Sequence, residues 1–120
     1  MKVEDIMTVP VSVTQPDVKI GQLKSTMGRK KLRAVPVLSM EGEIKGVVSV
    51  VDLVDAHDDQ FVSDVMTNRV VVSSIDGGLK DVARMMLKNN VHHIVAMDEG
   101  GVKGIVSSMD IVHAFANEFS

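Results

Sequence analysis

At 120 residues, with 45% hydrophobic and 24% charged side chains, the chain has the length and composition of one ordinary globular domain and not of a disordered tail. Thirteen basic against 16 acidic residues leave a net charge of −3, which disfavours nucleic acid or a membrane surface as partner, and an aromatic content of 2% removes the rings that a single-strand stacking platform needs. With no cysteine, disulfides, thiol catalysis and cysteine-based zinc are excluded together, and we expect a cytoplasmic protein. Glu4 and Asp5 stand where a signal peptide needs a basic and then apolar run, and no apolar stretch approaches the roughly 18 residues of a membrane span.

In chain order, Val3-Glu4-Asp5-Ile6-Met7-Thr8 leads into Val9-Pro10-Val11-Ser12-Val13, which predicts a short strand. Asp17 stands where a helix N-cap would, ahead of Ile20, Leu23 and Met27 at helical spacing. Ala34-Val35-Pro36-Val37-Leu38, a turn at Met40-Glu41-Gly42-Glu43 and Ile44-Lys45-Gly46-Val47-Val48 predict a strand hairpin. Ser49 closes the second strand and starts a helix through Leu53, Val54 and Ala56. The polar, acidic run from Asp55 to Gln60 reads as a linker too short to separate independent domains.

The pattern is then written a second time. Val62-Ser63-Asp64-Val65-Met66-Thr67 repeats the opening 59 positions on, and the offset holds through Asp76, Leu79, Val82 and Met86. One residue drops out near Glu41, in a turn where such losses are tolerated, and the copies realign with Gly104 against Gly46. The second copy predicts strands at Val70-Val71-Val72, His93 to Met97 and Val102 to Val106, with a turn at Asp98-Glu99-Gly100-Gly101. Leu79, Val82, Ala83, Met86 and Leu87 form an apolar stripe on one helical face, while Gly77-Gly78 loosen the first turn by about 1 kcal/mol each. We therefore expect domains at 1–57 and 62–120 with a linker at 58–61, each ordered β-α-β-β-α. A unit of about 55 residues is marginal alone, so the two should pack face to face as one α+β, sandwich-like fold.

Both copies end in glycine, an apolar pair, serine, two spacers and aspartate: Gly46 to Asp52 and Gly104 to Asp110. Ser-x-x-Asp at a strand-helix junction is close to a capping box, in which the serine oxygen accepts from the N–H three residues on. The same geometry is an anion seat, because a serine hydroxyl, free N–H groups and the helix dipole gather at one helix end. An aspartate one turn in can accept two hydrogen bonds from a ribose diol. A phosphate beside a sugar suits that pair.

The duplicated element order, Asp-Ile-Met-Thr and Asp-Val-Met-Thr at the copy starts, Arg33-Ala34-Val35-Pro36-Val37 before a glycine-containing turn, and the Gly-apolar-apolar-Ser-x-x-Asp ends resemble a pair of CBS domains, named for cystathionine beta-synthase. The resemblance covers essentially the whole chain. It implies a regulatory module, also called a Bateman module, whose two copies pack through their sheets about a pseudo-twofold axis and leave two clefts. Similar modules bind AMP, ADP, ATP, S-adenosylmethionine or a dinucleotide such as NAD there, as regulatory ligands and not as obligatory cofactors. By that resemblance Asp52 and Asp110 hold ribose, and Ser49 and Ser107 help hold phosphate. The opposite copy's start closes the adenine side, with Thr8, Pro10 and Val11 facing Asp110 and Thr67 to Val70 facing Asp52. Arg33 and its counterpart His92 stand directly before the middle strands, where basic residues of the nucleotide-sensing subunit of AMP-activated kinases reach phosphates. Pro36 falls within the same ligand-binding set. The second copy departs from the pattern where it lacks the proline equivalent to Pro36 and where Ser108-Met109 replaces Val50-Val51.

Competing readings of these residues are simpler. Arg33 and His92 as solvated loop residues contribute little, as surface charges usually do. The cluster Arg29-Lys30-Lys31 suits a solvated helix end. His92 and His93 are adjacent in a strand and point to opposite faces, which argues against a shared metal ion. No nucleophile-base-orienter set is visible, so the sequence does not read as an enzyme. The leading expectation is a sensor of adenine nucleotides acting on an effector protein that the sequence does not identify. The alternative is an unliganded docking module, and in either case Ile111, Val112, Phe115 and Phe119 offer a helical face for a homodimer.

Overall fold

In the computed structural model, which describes residues 1–119 and side chains through Asn117, the two copies of the sequence build matching elements. Their order is α1 (Val3–Ile6), α2 (Ile20–Lys30), β1 (Ala34–Leu38), β2 (Ile44–Ser49), α3 (Val50–Leu53), α4 (Val62–Val65), β3 (Val72–Ser74), α5 (Leu79–Asn89), β4 (His93–Asp98), β5 (Gly101–Ser107) and α6 (Ser108–Phe119). Helices and strands are mixed through both copies, with antiparallel hairpins at their centres, in an α+β fold. The missing residue of the second copy does fall in the hairpin turn: Leu38 pairs with Ile44, but Met97 pairs with Val102.

The compact units cut across the copies. Unit 1 comprises Met1–Val11 and the chain from Val71 onward, and unit 2 comprises Ser12–Val70. Each therefore holds the body of one copy and the opening segment of the other. In unit 2 the Phe61 N–H donates to the Asp64 carboxylate at 2.8 Å and starts α4, while the N–H groups of Val62 and Ser63 donate to the carbonyls of Val18 and Pro16. Val62 is thereby fully buried among Ile20, Leu23, Met27, Val35, Val37 and Val48. Unit 1 repeats this with the Lys2 N–H on Asp5 at 2.7 Å, and with Val3 and Glu4 donating to Gly77 and Ile75. Val3 is buried there among Val82, Met86, Ile94, Ala96 and Val106.

Beyond each opening helix the chain crosses the last hairpin strand at its glycine. Thr67 exchanges both backbone hydrogen bonds with Val47, at 3.0 and 2.9 Å, and the Thr8 N–H donates to the Ile105 carbonyl at 3.0 Å. A Cβ on Gly46 would stand 2.8 Å from the Thr67 carbonyl oxygen, and one on Gly104 would stand 2.7 Å from the Met7 sulfur. The glycine that opens each terminal motif is thus a point of close chain approach.

Six local expectations need correction, the first being the strand expected at Val70-Val71-Val72, which stands instead at Val72–Ser74. Residues 9–13 form no strand, and in their neighbourhood a single parallel bridge joins Thr14 to Val37, where unit 1 has the three-residue β3 beside β4. In unit 1 that ladder is flanked by Val95 N–H donating to Val71 and Ile75 N–H donating to Met97. The equivalent donors in unit 2 are Pro36 and Pro16, which have no N–H. Asp17 is not the N-cap of α2. That position is Lys19, and the first free N–H groups, of Ile20 and Gly21, donate to the carbonyls of Gln60 and Asp58.

The helix expected through Ala56 stops after one turn at Leu53, and Val54 and Ala56 continue only with tight three-residue bonds to Val51 and Leu53. Leu87 does not join the apolar face of α5: it is 83% exposed, and Val82 and Met86 carry the burial. Gly77 and Gly78 precede α5, with Gly78 at the N-cap, where glycine costs only a few tenths of a kcal/mol.

Candidate functional site

Each hairpin has one face turned to its helix and one turned away. In unit 2, Val35, Val37 and Val48 lie in the core cluster, so the alternation of strand side chains puts Ala34, Pro36, Val47 and Ser49 on the opposite face. In unit 1, Ile94, Ala96 and Val106 take the core side, and His93, Val95, Ile105 and Ser107 take the other. Thr67 pairs with Val47 and Thr8 with Ile105, which brings each threonine to the edge of this second face.

The Ser-Asp pairs stand at the end of that face. The Ser49 N–H donates to Asp52 Oδ2 at 2.9 Å, the Ser49 hydroxyl to the same oxygen at 3.2 Å, and the Thr67 hydroxyl to Oδ1 at 3.5 Å. In unit 1 the exchange is reciprocal: Ser107 N–H to Asp110 Oδ2 at 2.8 Å and Asp110 N–H to Ser107 Oγ at 3.1 Å. The capping box expected at both junctions is present, and each aspartate keeps acceptor capacity beyond it. Residues of both copies meet in each unit, Thr67 of the second with Asp52 of the first. The helix behind the pair differs, since α3 is one turn and α6 has 12 residues, so a substantial dipole stands only behind Ser107.

Other expected residues lie further out. Pro10 follows Thr8 through a cis Val9–Pro10 peptide and is exposed, Val11 is half-buried, and Val70 is half-buried in unit 2. The Arg33 carbonyl accepts from the Val50 N–H at 2.9 Å, but its side chain lines a groove of about 480 Å³ together with Lys24, Lys31, Leu32 and Leu53, a lining that includes neither Ser49 nor Asp52. His92 is exposed, and its carbonyl accepts from Ser108 at 2.9 Å.

His93 was missed as a site residue. It sits directly opposite Ser107 on the outward face, half-buried, and the period of two could have found it once Ile94 and Ala96 were read as core. Burial, and then the neighbouring His92, hold its pKa below the usual imidazole value, while the Asp110 carboxylate pulls it back up. Among the described residues no three His, Asp or Glu side chains gather as a metal site, and no helix is long and apolar enough to cross a membrane.

The defining pattern of the CBS domain matches residues 3–59 and again residues 62–117. The chain belongs to the CBS domain family. As a CBS pair it is similar to the uncharacterized protein MJ0188 of Methanocaldococcus jannaschii, 30% identical over 117 residues, which are 95% of this chain and 44% of that one. The chain thus spans less than half the length of this relative. Among solved CBS structures it superposes on the CBS domain pair of protein MJ0100 in complex with 5′-methylthioadenosine and S-adenosyl-L-methionine, at a TM-score of 0.90 and 23% identity over 98% of both chains. The cytosolic domain of the Mg2+ channel MgtE in complex with ATP matches at a TM-score of 0.78 and 24% identity, covering 91% of this chain and 46% of that one. At these identities the two structures speak for the fold.

Proposed function

We propose that this CBS pair, residues 1–57 and 62–120 about a linker at 58–61, is a regulatory module that binds an adenosine-containing ligand in one or both units and passes the bound state to an effector protein in the cytoplasm. The observation that carries this reading is the meeting, inside one unit, of the Ser49–Asp52 pair of one copy with Thr67 of the other. A ligand held by both bears on both copies, and can bias them to the extent that it binds one arrangement better. Asp52 and Asp110 take the ribose hydroxyls, while Ser49 and Ser107 take phosphate oxygens or a comparable polar group. Arg33 and His92 begin at the same end, and Pro36, Thr8, Pro10, Val11, Thr67 and Val70 border the base. The structural neighbours that hold methylthioadenosine, S-adenosylmethionine and ATP support the ligand class. AMP, ADP, ATP, S-adenosylmethionine and NAD are the compounds to distinguish.

The test is thermal unfolding followed by circular dichroism with each compound in turn and GTP as control. A ligand at 100 times its dissociation constant adds about 2.7 kcal/mol, several degrees for a chain of this size. The combined Asp52→Ala and Asp110→Ala protein should lose that shift. If no compound shifts protein first freed of bound nucleotide, the sensor reading fails.

A second reading, a docking module with empty sites, is favoured by exposed apolar side chains: Val50 and Val51 of α3 with the following Val54, and Met109, Val112 and Phe115 of α6. These suit a homodimer formed through helices. Ile111 instead packs against the unit 1 core, and the Phe119 side chain lies outside the described residues. Val51→Glu with Val112→Glu should halve the molar mass in sedimentation if the helices pair.

A further inference from the structure

On the outward sheet faces, the rung that carries the terminal serine differs between the two units in the residue facing it. Opposite Ser107 stands His93, and opposite Ser49 stands Ala34, a methyl group with no proton to exchange. We infer that the Thr8, Ser107 and Asp110 site binds an anionic ligand together with one proton, taken up from solvent by the His93 imidazole, while the Thr67, Ser49 and Asp52 site binds the same ligand without one. This rests on reading both sites as adenosine-ligand sites and assigns them different ligand charge.

The surroundings of His93 make it responsive. It is half-buried on β4, so its charged form is poorly solvated and a nearby charge is weakly screened. The charged or titratable groups acting on it are His92, beside it on β4, and Asp110 on α6. From β5 it faces Ser107, from the opening segment Thr8 borders the same face, and β3 contributes Val72, Ser73 and Ser74, none of which titrates in this range. Without ligand its burial favours the neutral ring. A phosphate oxygen brought to Ser107 adds negative charge at the opposite rung of the ladder and favours the imidazolium, which then donates to it. Unit 2 has no such group at the equivalent rung, where Ala34 faces Ser49.

The linkage has a fixed sign. Binding that raises the pKa of His93 must tighten as pH falls, by at most about tenfold per pH unit between the free and bound values for one proton. The probe must not titrate itself, so ADP-ribose, whose diphosphate is fully ionised over this range, is compared with uncharged adenosine. Calorimetric titrations at pH 6 and pH 8 use the full chain carrying Asp52→Ala, which leaves the unit 1 site. We expect ADP-ribose to bind several-fold more tightly at pH 6, adenosine to gain nothing, and His93→Gln to abolish the difference. In the full chain carrying Asp110→Ala, unit 2 should bind ADP-ribose equally at both pH values, and adding Ala34→His should confer the dependence. Should His93→Gln fail to fold, the imidazole resonance of His93 in otherwise unaltered protein reports directly, and its titration midpoint should rise on saturation with ADP-ribose. Tight binding with an unmoved midpoint, or a pH dependence that survives His93→Gln, overturns the inference and leaves the adenosine reading intact, as does binding of adenosine with none of ADP-ribose. If neither compound binds at either pH, the adenosine reading itself falls and this inference with it.

Discussion

In unit 1 a parallel third strand runs beside β4, a 12-residue helix stands behind Ser107, and a histidine faces the serine. In unit 2 the same stretch of pattern makes one bridge, the helix is a single turn, and the facing residue is alanine. The scaffold that the copies share is the part fixed by burial: Val3 and Val62, Ile20 and the α5 stripe, Val35 and Ile94, Val48 and Val106. The differences sit outside those two clusters, on the outward sheet face and at the backbone donors. Apolar patterning thus conserves a shape while single positions of the outward face specialise.

Cutting into the shared part should hurt the two units alike. Ile20 and Ile94 are both fully buried, and each change to alanine should cost about 2–5 kcal/mol in urea unfolding. A gap between the two larger than that range would mean that the cores are not equivalent. The glycines should split the units next. At Gly46 an added methyl meets the Thr67 backbone carbonyl, which cannot step aside, whereas at Gly104 its three nearest neighbours are the Sδ, Cγ and Cβ of Met7, of which the first two can move with the side chain. Gly46→Ala is expected to cost about 1–3 kcal/mol, as overpacking does, and Gly104→Ala clearly less. Equal losses would remove the distinction between a backbone and a side-chain obstacle.

A smaller effect should bring unit 2 towards unit 1. Pro36→Val restores an N–H opposite Ser12, as Val95 has opposite Val71, and hydrogen exchange at residues 12–14 should slow while stability rises by about 1 kcal/mol or less. The last and smallest difference is read from pH. His93 has its folded pKa below the unfolded value of 6.5, so the unfolded chain binds more protons between the two. Its neutral form is compatible with full stability above that value, and stability is lost as pH falls through it. His93→Gln should flatten the melting temperature between pH 7 and pH 5 relative to the unaltered protein, and an unchanged slope would place the responsible group elsewhere.

Much of this was legible in the residues. The helical spacing of Ile20, Leu23 and Met27 and of Val82 and Met86 marked the two long helices, and the glycine-containing turns marked both hairpins. Ser-x-x-Asp marked both capping boxes because a cap is local. What escaped was non-local or donor-dependent. The cap of α2 comes from carbonyls some 40 positions on, at Asp58 and Gln60, so Asp17 drew attention only by proximity. The stretch 9–13 forms no strand, as residues 68–71, the equivalent of 9–12, form none, and the ladder that unit 1 makes at β3 shrinks to one bridge at Thr14 because Pro36 and Pro16 cannot donate, a reason readable only once the register with unit 1 is known. His93 was passed over because His92 aligned with Arg33, although it is the neighbour that shares a face with Ser107.

A lone copy of this pattern does not contain the segment that completes its own unit. As separate polypeptides, two copies could finish two units only by trading openings, and assembly would depend on their concentration. Written in tandem, the trade is intramolecular, at an effective concentration of about millimolar for a short flexible connection. Gene duplication followed by fusion would thus free folding from mass action. It would also let one descendant acquire histidine and the other alanine at the same rung, since each half still supplies what the other needs.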